Sequence, residues 1–410
     1  MKIKSVRGTH DIFGKNIKKF NIIKQIVSEC AENNGFNQII TPIFEFNELF
    51  MKPLGEDSDV VLKEMYTFED RNKDILTLRP EYTTPMIRAA ISNNLLNDLP
   101  LKIYGLGPMF RRERPQKGRF RQFNQINFEI FGSDDYIADV TLIFLANQIL
   151  SKLLPNNKII LNINSLGTKE NMNDYKKSLK SFFHDKKSKL SEDSQNKILS
   201  NPLRILDSKK EQDIEVCIDA PLIYEFISKE SKVHYERIKS SLQFINVNFK
   251  ENPKLVRGLD YYCSTVFEFK TEDLGTQDTL LGGGRYDGLI SSLGGPNLSG
   301  IGWAAGVERI SMLMTQPDDD IKYVNIAITD KKFEKHLLKI INYLNSKKIS
   351  YFWNHKYNLK KSLSKANQTK SKIIILIGED EYKEDFYTIK ELSTGKQSKI
   401  KTKQLDEYFK

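Results

Sequence analysis

The chain has 410 residues, 39% hydrophobic and 28% charged, the balance of a globular protein of two or three domains. Its apolar runs are short, as at Ile373 to Ile377, far below the ~20 residues of a membrane span, and no apolar stretch follows the opening residues, so neither a membrane partner nor a secretory leader is expected. Net charge is +10, and all of the excess lies from Lys322 onward, where 20 lysines and no arginine meet 10 acidic residues; the remainder holds 43 basic and 43 acidic residues.

A basic tail suits a polyanion such as nucleic acid, and equally a lysine-rich solvated surface. Cys30, Cys217 and Cys263 lie far apart without a CxxC pair, and the five histidines are as scattered. No disulfide framework or metal site is expected, and the implied compartment is a reducing, cytoplasmic one.

In chain order, residues 17–34 read as an amphipathic helix with Phe20, Ile23, Ile26 and Val27 on one stripe. Phe36 to Pro42 is a β-like run ended by proline, Leu76 to Pro80 a short strand, and Thr84 to Leu95 a helix. Leu101 to Phe110 and Gln122 to Phe131 predict two strands of a long hairpin with a basic tip, Arg111 to Arg121. Residues 166–250 are Lys-, Ser- and Asn-rich with helical periodicity, which predicts a helical insertion. Leu255 to Phe269 is strand-like, Gly282 to Gly284 and Gly294-Gly295 punctuate the next stretch, and Ala304 to Met314 predicts a helix. The tail alternates: strand Tyr323 to Thr329, helix Lys331 to Leu344, strands Tyr351 to Trp353 and Lys372 to Ile377, then a hairpin of Tyr387 to Leu392 and Gln397 to Thr402. A small α/β domain fits that order.

Four segments carry candidate chemistry. Side chains alternate along a strand, so Ile126, Phe128 and Ile130 share one face, while Gln125, Asn127 and Glu129 share the other with Phe123 and Phe131. An apolar back and polar front lines a cleft, although a half-solvated edge strand alternates in the same way. The adjoining loop packs five arginines and a lysine into eleven residues, a repulsive set that an anion such as a triphosphate or an RNA backbone would neutralise. Arg257-Gly-Leu-Asp-Tyr-Tyr262 offers a guanidinium and two phenols, or simply two tyrosines packing on opposite sides of a sheet. Gly282-Gly-Gly-Arg-Tyr-Asp-Gly288 permits close backbone approach but lacks the ending of a phosphate-binding P-loop. Gly302-Trp-Ala-Ala-Gly-Val-Glu-Arg309 reads as small residues entering a helix.

Together and in this order, these segments resemble the histidyl-tRNA synthetase family of class II aminoacyl-tRNA synthetases. Phe36 to Glu45 resembles motif 1, Gly107 to Phe123 motif 2 and Gly302 to Arg309 motif 3. Arg257 to Tyr262 and Gly282 to Gly288 resemble the two signatures peculiar to the histidine enzyme, and Arg7-Gly-Thr-His-Asp11 its opening. The resemblance implies an α+β fold: a class II core with a six-stranded antiparallel sheet at 1–165 and 251–318, a helical insertion at 166–250, and a C-terminal α/β anticodon-binding domain at 322–410. It also implies a homodimer formed through motif 1.

The implied partners are L-histidine, ATP with Mg²⁺, and tRNA(His). Arg111, Arg257 and Arg309 would be the catalytic cations. Glu113 and Phe123 would join Arg111 and Arg309 at ATP. Glu81, Thr83 and Gln125 would hold the α-amino group, while Glu129 and Tyr262 would bond the imidazole, with Tyr261 and Tyr286 completing the pocket. Arg114, Gln116, Lys117, Arg119 and Arg121 would meet the tRNA acceptor end. Two departures stand out. Tyr82 occupies a position where many members have glycine and is expected to reshape the pocket beside Glu81, and Arg112 stands where many bacterial members have histidine. A non-charging regulatory paralogue of histidine biosynthesis shares the fold but generally lacks the tail and parts of the ATP site. A plain RNA-binding protein would not need Glu81, Glu129 and Tyr262.

Overall fold

The structure, a computed structural model, describes residues 3–54, 61, 64–206, 208–257, 259, 261–275, 278–316, 324–369 and 371–409. Gly258, Asp260, Tyr323 and the 318–322 boundary, all parts of sequence expectations, lie outside the described residues. Two compact units result, Met1–Gln316 and Pro317–Lys410.

The first unit is built on an eight-stranded sheet. Its strands are β1 (Asn37–Gln38), β5 (Leu101–Phe110), β6 (Gln122–Phe131), β7 (Ile160–Ser165), β8 (Lys250–Glu251), β9 (Cys263–Lys270), β10 (Thr279–Arg285) and β11 (Gly300–Gly306). A separate three-stranded sheet joins β2 (Phe44–Phe46), β3 (Tyr66–Glu69) and β4 (Ile75–Leu78). The large sheet runs β1-β5-β6-β11-β10-β9-β7-β8. Its six central strands pair antiparallel, and the two-residue strands at its edges pair parallel. The expected six-stranded sheet is therefore the centre of a larger one.

The back of this sheet holds the main core. Ile126, Phe128 and Ile130 of β6 meet Trp303, Phe267 and the helices Lys15–Asn33, Tyr136–Leu153 and Lys229–Phe244. Phe128 stacks between Tyr104 and Trp303, with centroids 5.2 and 4.7 Å away; each such pair adds about 0.5–1.5 kcal/mol beyond area burial. Tyr136–Leu153 is apolar enough to cross a membrane by length and composition, and this packing accounts for its character.

Several boundaries differ from the sequence reading. The strand expected from Leu255 begins only at Cys263. Of the run Phe36 to Pro42, only Asn37–Gln38 is strand. Gly282 to Gly284 do not punctuate a loop but fill the centre of β10, and the helix expected from Ala304 begins at Val307 because Gly300–Gly306 is a central strand. Nor is the segment 166–250 one body. Leu166 to Ile227 form their own cluster, which includes Leu255 and Val266, whereas Tyr235, Ile238, Leu242 and Val247 belong to the main core.

The second unit is a five-stranded sheet of β12 (Val324–Ile328), β13 (Tyr351–Trp353), β14 (Ile373–Ile377), β15 (Phe386–Glu391) and β16 (Gln397–Lys401), in the order β13-β12-β14-β15-β16. β12 lies parallel to both neighbours, and β14, β15 and β16 pair antiparallel. Helix Glu334–Ser346 buries Leu337, Ile340 and Leu344 against one face, and Ala366 of helix Leu359–Gln368 meets Ala327 and Ile374 on the other.

Candidate active site

The front of the large sheet opens into a cleft of about 450 Å³. One wall begins at Arg79, whose buried guanidinium donates to the Pro108 carbonyl at 2.9 Å and to both oxygens of Thr41 at 3.0 Å. That anchor ties the segment after β1 to β5 and places Pro80 and Glu81 at the cleft. Glu81 caps the helix Thr83–Ser92, accepting from the Thr83 and Thr84 amides at 2.8 Å each. Both Glu81 and Thr83 line the cleft.

Tyr82 does not reshape the pocket. It is fully buried, points into the helix–sheet interface with Met86 and Phe131, and lies under the Arg79 guanidinium, 4.1 Å from its ring centroid. Gly105 makes this possible, since a Cβ there would sit 2.3 Å from the Tyr82 ring.

β6 presents Phe123, Gln125 and Asn127 to the cleft. Glu129 follows on the same face but is completely buried behind the wall. It accepts from Thr83 Oγ1 at 2.7 Å and from the Tyr286 phenol. Burial, together with the Glu81 charge and against these hydrogen bonds, raises its pKa to about 8. Space for it comes from Gly302, where a Cβ would fall 1.5 Å from Glu129 Oε2. Tyr286 therefore backs Glu129 rather than closing the cleft. Tyr261 and Tyr262 both line it, with centroids 4.7 Å apart. Burial pushes Tyr262 up to about 12 and raises Tyr261 as well, so both present neutral phenols.

The cationic part of the cleft is built from three separate segments, with two of its arginines on the loop between β5 and β6. Arg111 donates from Nε to the Pro80 carbonyl at 2.9 Å and lies over Phe123. Arg309 donates to the carbonyls of Gly118 and Thr279 at 3.1 and 2.6 Å. Arg257 pairs with Glu268 at 3.2 Å and crosses β10 at Gly282, where a Cβ would lie 1.9 Å from its Nη2. Arg119 turns inward to pair with Glu113 at 3.0 Å, and both line the cleft. Arg114, Gln116 and Lys117 are exposed, while Arg121 is half-buried, its amide on the Gly8 carbonyl at 2.7 Å.

Glu308 and Arg204, which sequence reasoning missed, also line the cleft, as does Asn127, to which it gave no role. Glu308 accepts from Asn124 at 2.9 Å, and burial raises its pKa. Asn127 shares the polar face already singled out, so the alternation did signal it. Arg204 belongs to no recognisable motif. Among the described residues no three His, Cys, Asp or Glu gather as a metal-holding group.

The second unit has its own open cleft of about 1140 Å³, lined by Tyr351, Phe352, Trp353 and His355 with Lys356, Lys360, Lys361 and Lys365. The Trp353 Nε1 is buried there without a hydrogen-bond partner among the described residues.

The family model of histidyl-tRNA synthetase matches residues 8–310, and that of an anticodon binding domain matches residues 322–410. The chain belongs to the histidyl-tRNA synthetase family. It is 43% identical over 400 residues to a histidine–tRNA ligase of Ehrlichia canis, covering 97% of this chain and 96% of the relative. A Wolbachia pipientis histidine–tRNA ligase is 42% identical over 396 residues, with 97% of each covered. The apo Staphylococcus aureus histidyl-tRNA synthetase structure superposes with a TM-score of 0.81 at 30% identity, covering all of both chains. The resemblance read from the motifs and the sheet expected of a class II synthetase both hold at this family level.

Proposed function

We propose that the chain activates L-histidine with ATP, releasing pyrophosphate, and transfers histidine to the 3′ end of tRNA(His). The observation that carries this reading is one cleft lined by Arg111, Arg257 and Arg309 together with Glu81, Gln125 and Tyr262. The histidine carboxylate is ionised at neutral pH, so its attack on the α-phosphate needs no general base. Catalysis then lies in positioning and in neutralising phosphate charge, for which arginines suffice on the protein side.

Arg111 and Arg257 would face the α-phosphate, and Arg309 with Phe123 would hold the adenine end. Glu81 and Thr83 would bind the α-amino group with Gln125. Tyr262 would meet one imidazole nitrogen. Glu129 would reach the other through the wall it now forms with Thr83 and Tyr286, and an amino acid without ring nitrogens would leave these buried groups unpaired. Mg²⁺ takes one or two carboxylates plus phosphate oxygens; Glu113 and Glu308 line the cleft and fit that donor set. Bound there, the ion would neutralise phosphate charge.

In the same reading, Arg114, Gln116 and Lys117 meet the acceptor end. The tail at 322–410 binds the anticodon, its aromatic cleft ringed by lysines suiting unstacked bases and their phosphates. Ile40, Phe44, Phe46 and Phe68 are exposed on and beside the motif 1 segment, an apolar surface that a second copy of the chain would cover in a homodimer. Three free cysteines suit a reducing cytoplasm.

The test is ATP–pyrophosphate exchange with each amino acid in turn. Exchange with histidine alone is expected; folded protein with Mg²⁺ that exchanges with none refutes the reading.

A further inference from the structure

The activation cleft has a wall that the catalytic sheet does not supply. Arg204 sits on the four-residue helix Leu203–Leu206 of the insertion, and its neighbour Ile205 is fully buried in the insertion core. From that anchor Arg204 lines the cleft. Its place within the cleft is specific. Arg204, Arg257, Leu259 and Tyr262 also line a second, small void of about 20 Å³ where the insertion meets the Arg257 segment. It therefore shares that corner of the cleft with Arg257 and Tyr262.

Charge gives this position meaning. Arg257 is paired with Glu268, which also holds Lys270 at 2.7 Å, so part of the Arg257 charge is already answered within the sheet. Arg119 is likewise paired with Glu113. A phosphate facing Arg111 and Arg257 gathers negative charge as a carboxylate attacks it, and a further guanidinium on the Arg257 side strengthens the counter-charge for that change. Arg204, held by another layer of the fold, brings a guanidinium to that side of the cleft.

We propose that Arg204 contacts the α-phosphate of ATP together with Arg257, so that the insertion contributes a substrate-contacting residue to amino-acid activation. This rests on the activation reading above. It makes adenylate formation depend on the insertion even when no RNA is present.

The test uses full-length Arg204→Ala and Arg204→Lys in ATP–pyrophosphate exchange without tRNA. Arg204→Ala should lower kcat/KM for ATP by at least about tenfold, the scale of one lost charge-assisted phosphate contact, while the KM for histidine stays within about twofold. Arg204→Lys, which keeps the charge, should recover most of the loss; a merely structural arginine would show neither the split between substrates nor the rescue. Unchanged exchange in Arg204→Ala overturns the proposal, even if transfer to tRNA falls, because the arginine would then read RNA. A lysine variant no better than alanine overturns it too. Wild-type protein that exchanges nothing sinks the activation reading along with this one, whereas wild-type exchange matched by Arg204→Ala sinks this one alone.

Discussion

Replacing Gly282 by alanine should disable activation without unfolding the protein. The new Cβ would lie 1.9 Å from Arg257 Nη2 and 2.3 Å from its Cζ. Since non-bonded atoms settle about 3.5 Å apart, the guanidinium must retreat by about 1.5 Å. A misplacement of ~1 Å at a reacting centre costs about a hundredfold, and loss of one pre-organised donor costs about 2.7–4 kcal/mol. The expected result is a fall of about 10²-fold in kcat for histidine-dependent pyrophosphate exchange. The displaced atoms end a flexible side chain, so urea unfolding should shift by less than about 1 kcal/mol. A double-mutant cycle isolates the cause: in an Arg257→Ala background, Gly282→Ala should add almost nothing. Exchange within about threefold of wild type for Gly282→Ala alone, or full additivity in the cycle, would refute the idea that this glycine exists to seat Arg257.

Glu129 gives a pH signature. Its folded pKa of about 8 exceeds the ordinary 4.5, so between those values the folded protein keeps a proton that the unfolded chain has lost. Its contribution to stability is full below the lower value and falls as pH rises toward the upper. Thermal midpoints of wild type and Glu129→Gln should diverge in slope across that window, and parallel profiles would contradict the assignment. Tyr82→Ala should cost about 3–5 kcal/mol in urea unfolding, as for other large buried side chains, and leave the KM for histidine unchanged, because the ring faces the core; a raised KM would return Tyr82 to the pocket. Phe46→Lys should shift the protein toward monomer in sedimentation equilibrium, and an unchanged species distribution would remove β2 from the homodimer surface.

Where local pattern and tertiary environment agreed, the sequence was readable. The hairpin of β5 and β6 was legible to the residue because a two-fold alternation and a charged tip are local signals. The same alternation put Gln125, Asn127 and Glu129 on one face. It could not show that Glu129 ends behind the cleft wall, since that depends on Thr83 and Tyr286, 46 and 157 positions away. The glycines of β10 and β11 misled for a related reason. Glycine weakens an isolated strand, so the run read as punctuation, yet the fold needs bare backbone where Arg257 and Glu129 cross it. The resemblance put Tyr82 at the pocket, where many members have glycine, but the space at Gly105 draws it the other way. Arg204 gave no signal at all, because only folding brings position 204 beside 257.

The shared packing of the insertion has a consequence for anyone seeking a minimal fragment of this protein. Leu255, just before Arg257, and Val266, inside β9, are buried in the insertion's core and not in that of the main sheet. Excising 169–227 and rejoining the ends would preserve every catalytic motif on paper. It would also strip the apolar bed from beneath the segment that carries Arg257, Tyr261 and Tyr262. The trimmed chain would be a folded scaffold with slack active-site geometry, so domain dissection here must cut around that shared bed, not along the boundary that composition draws.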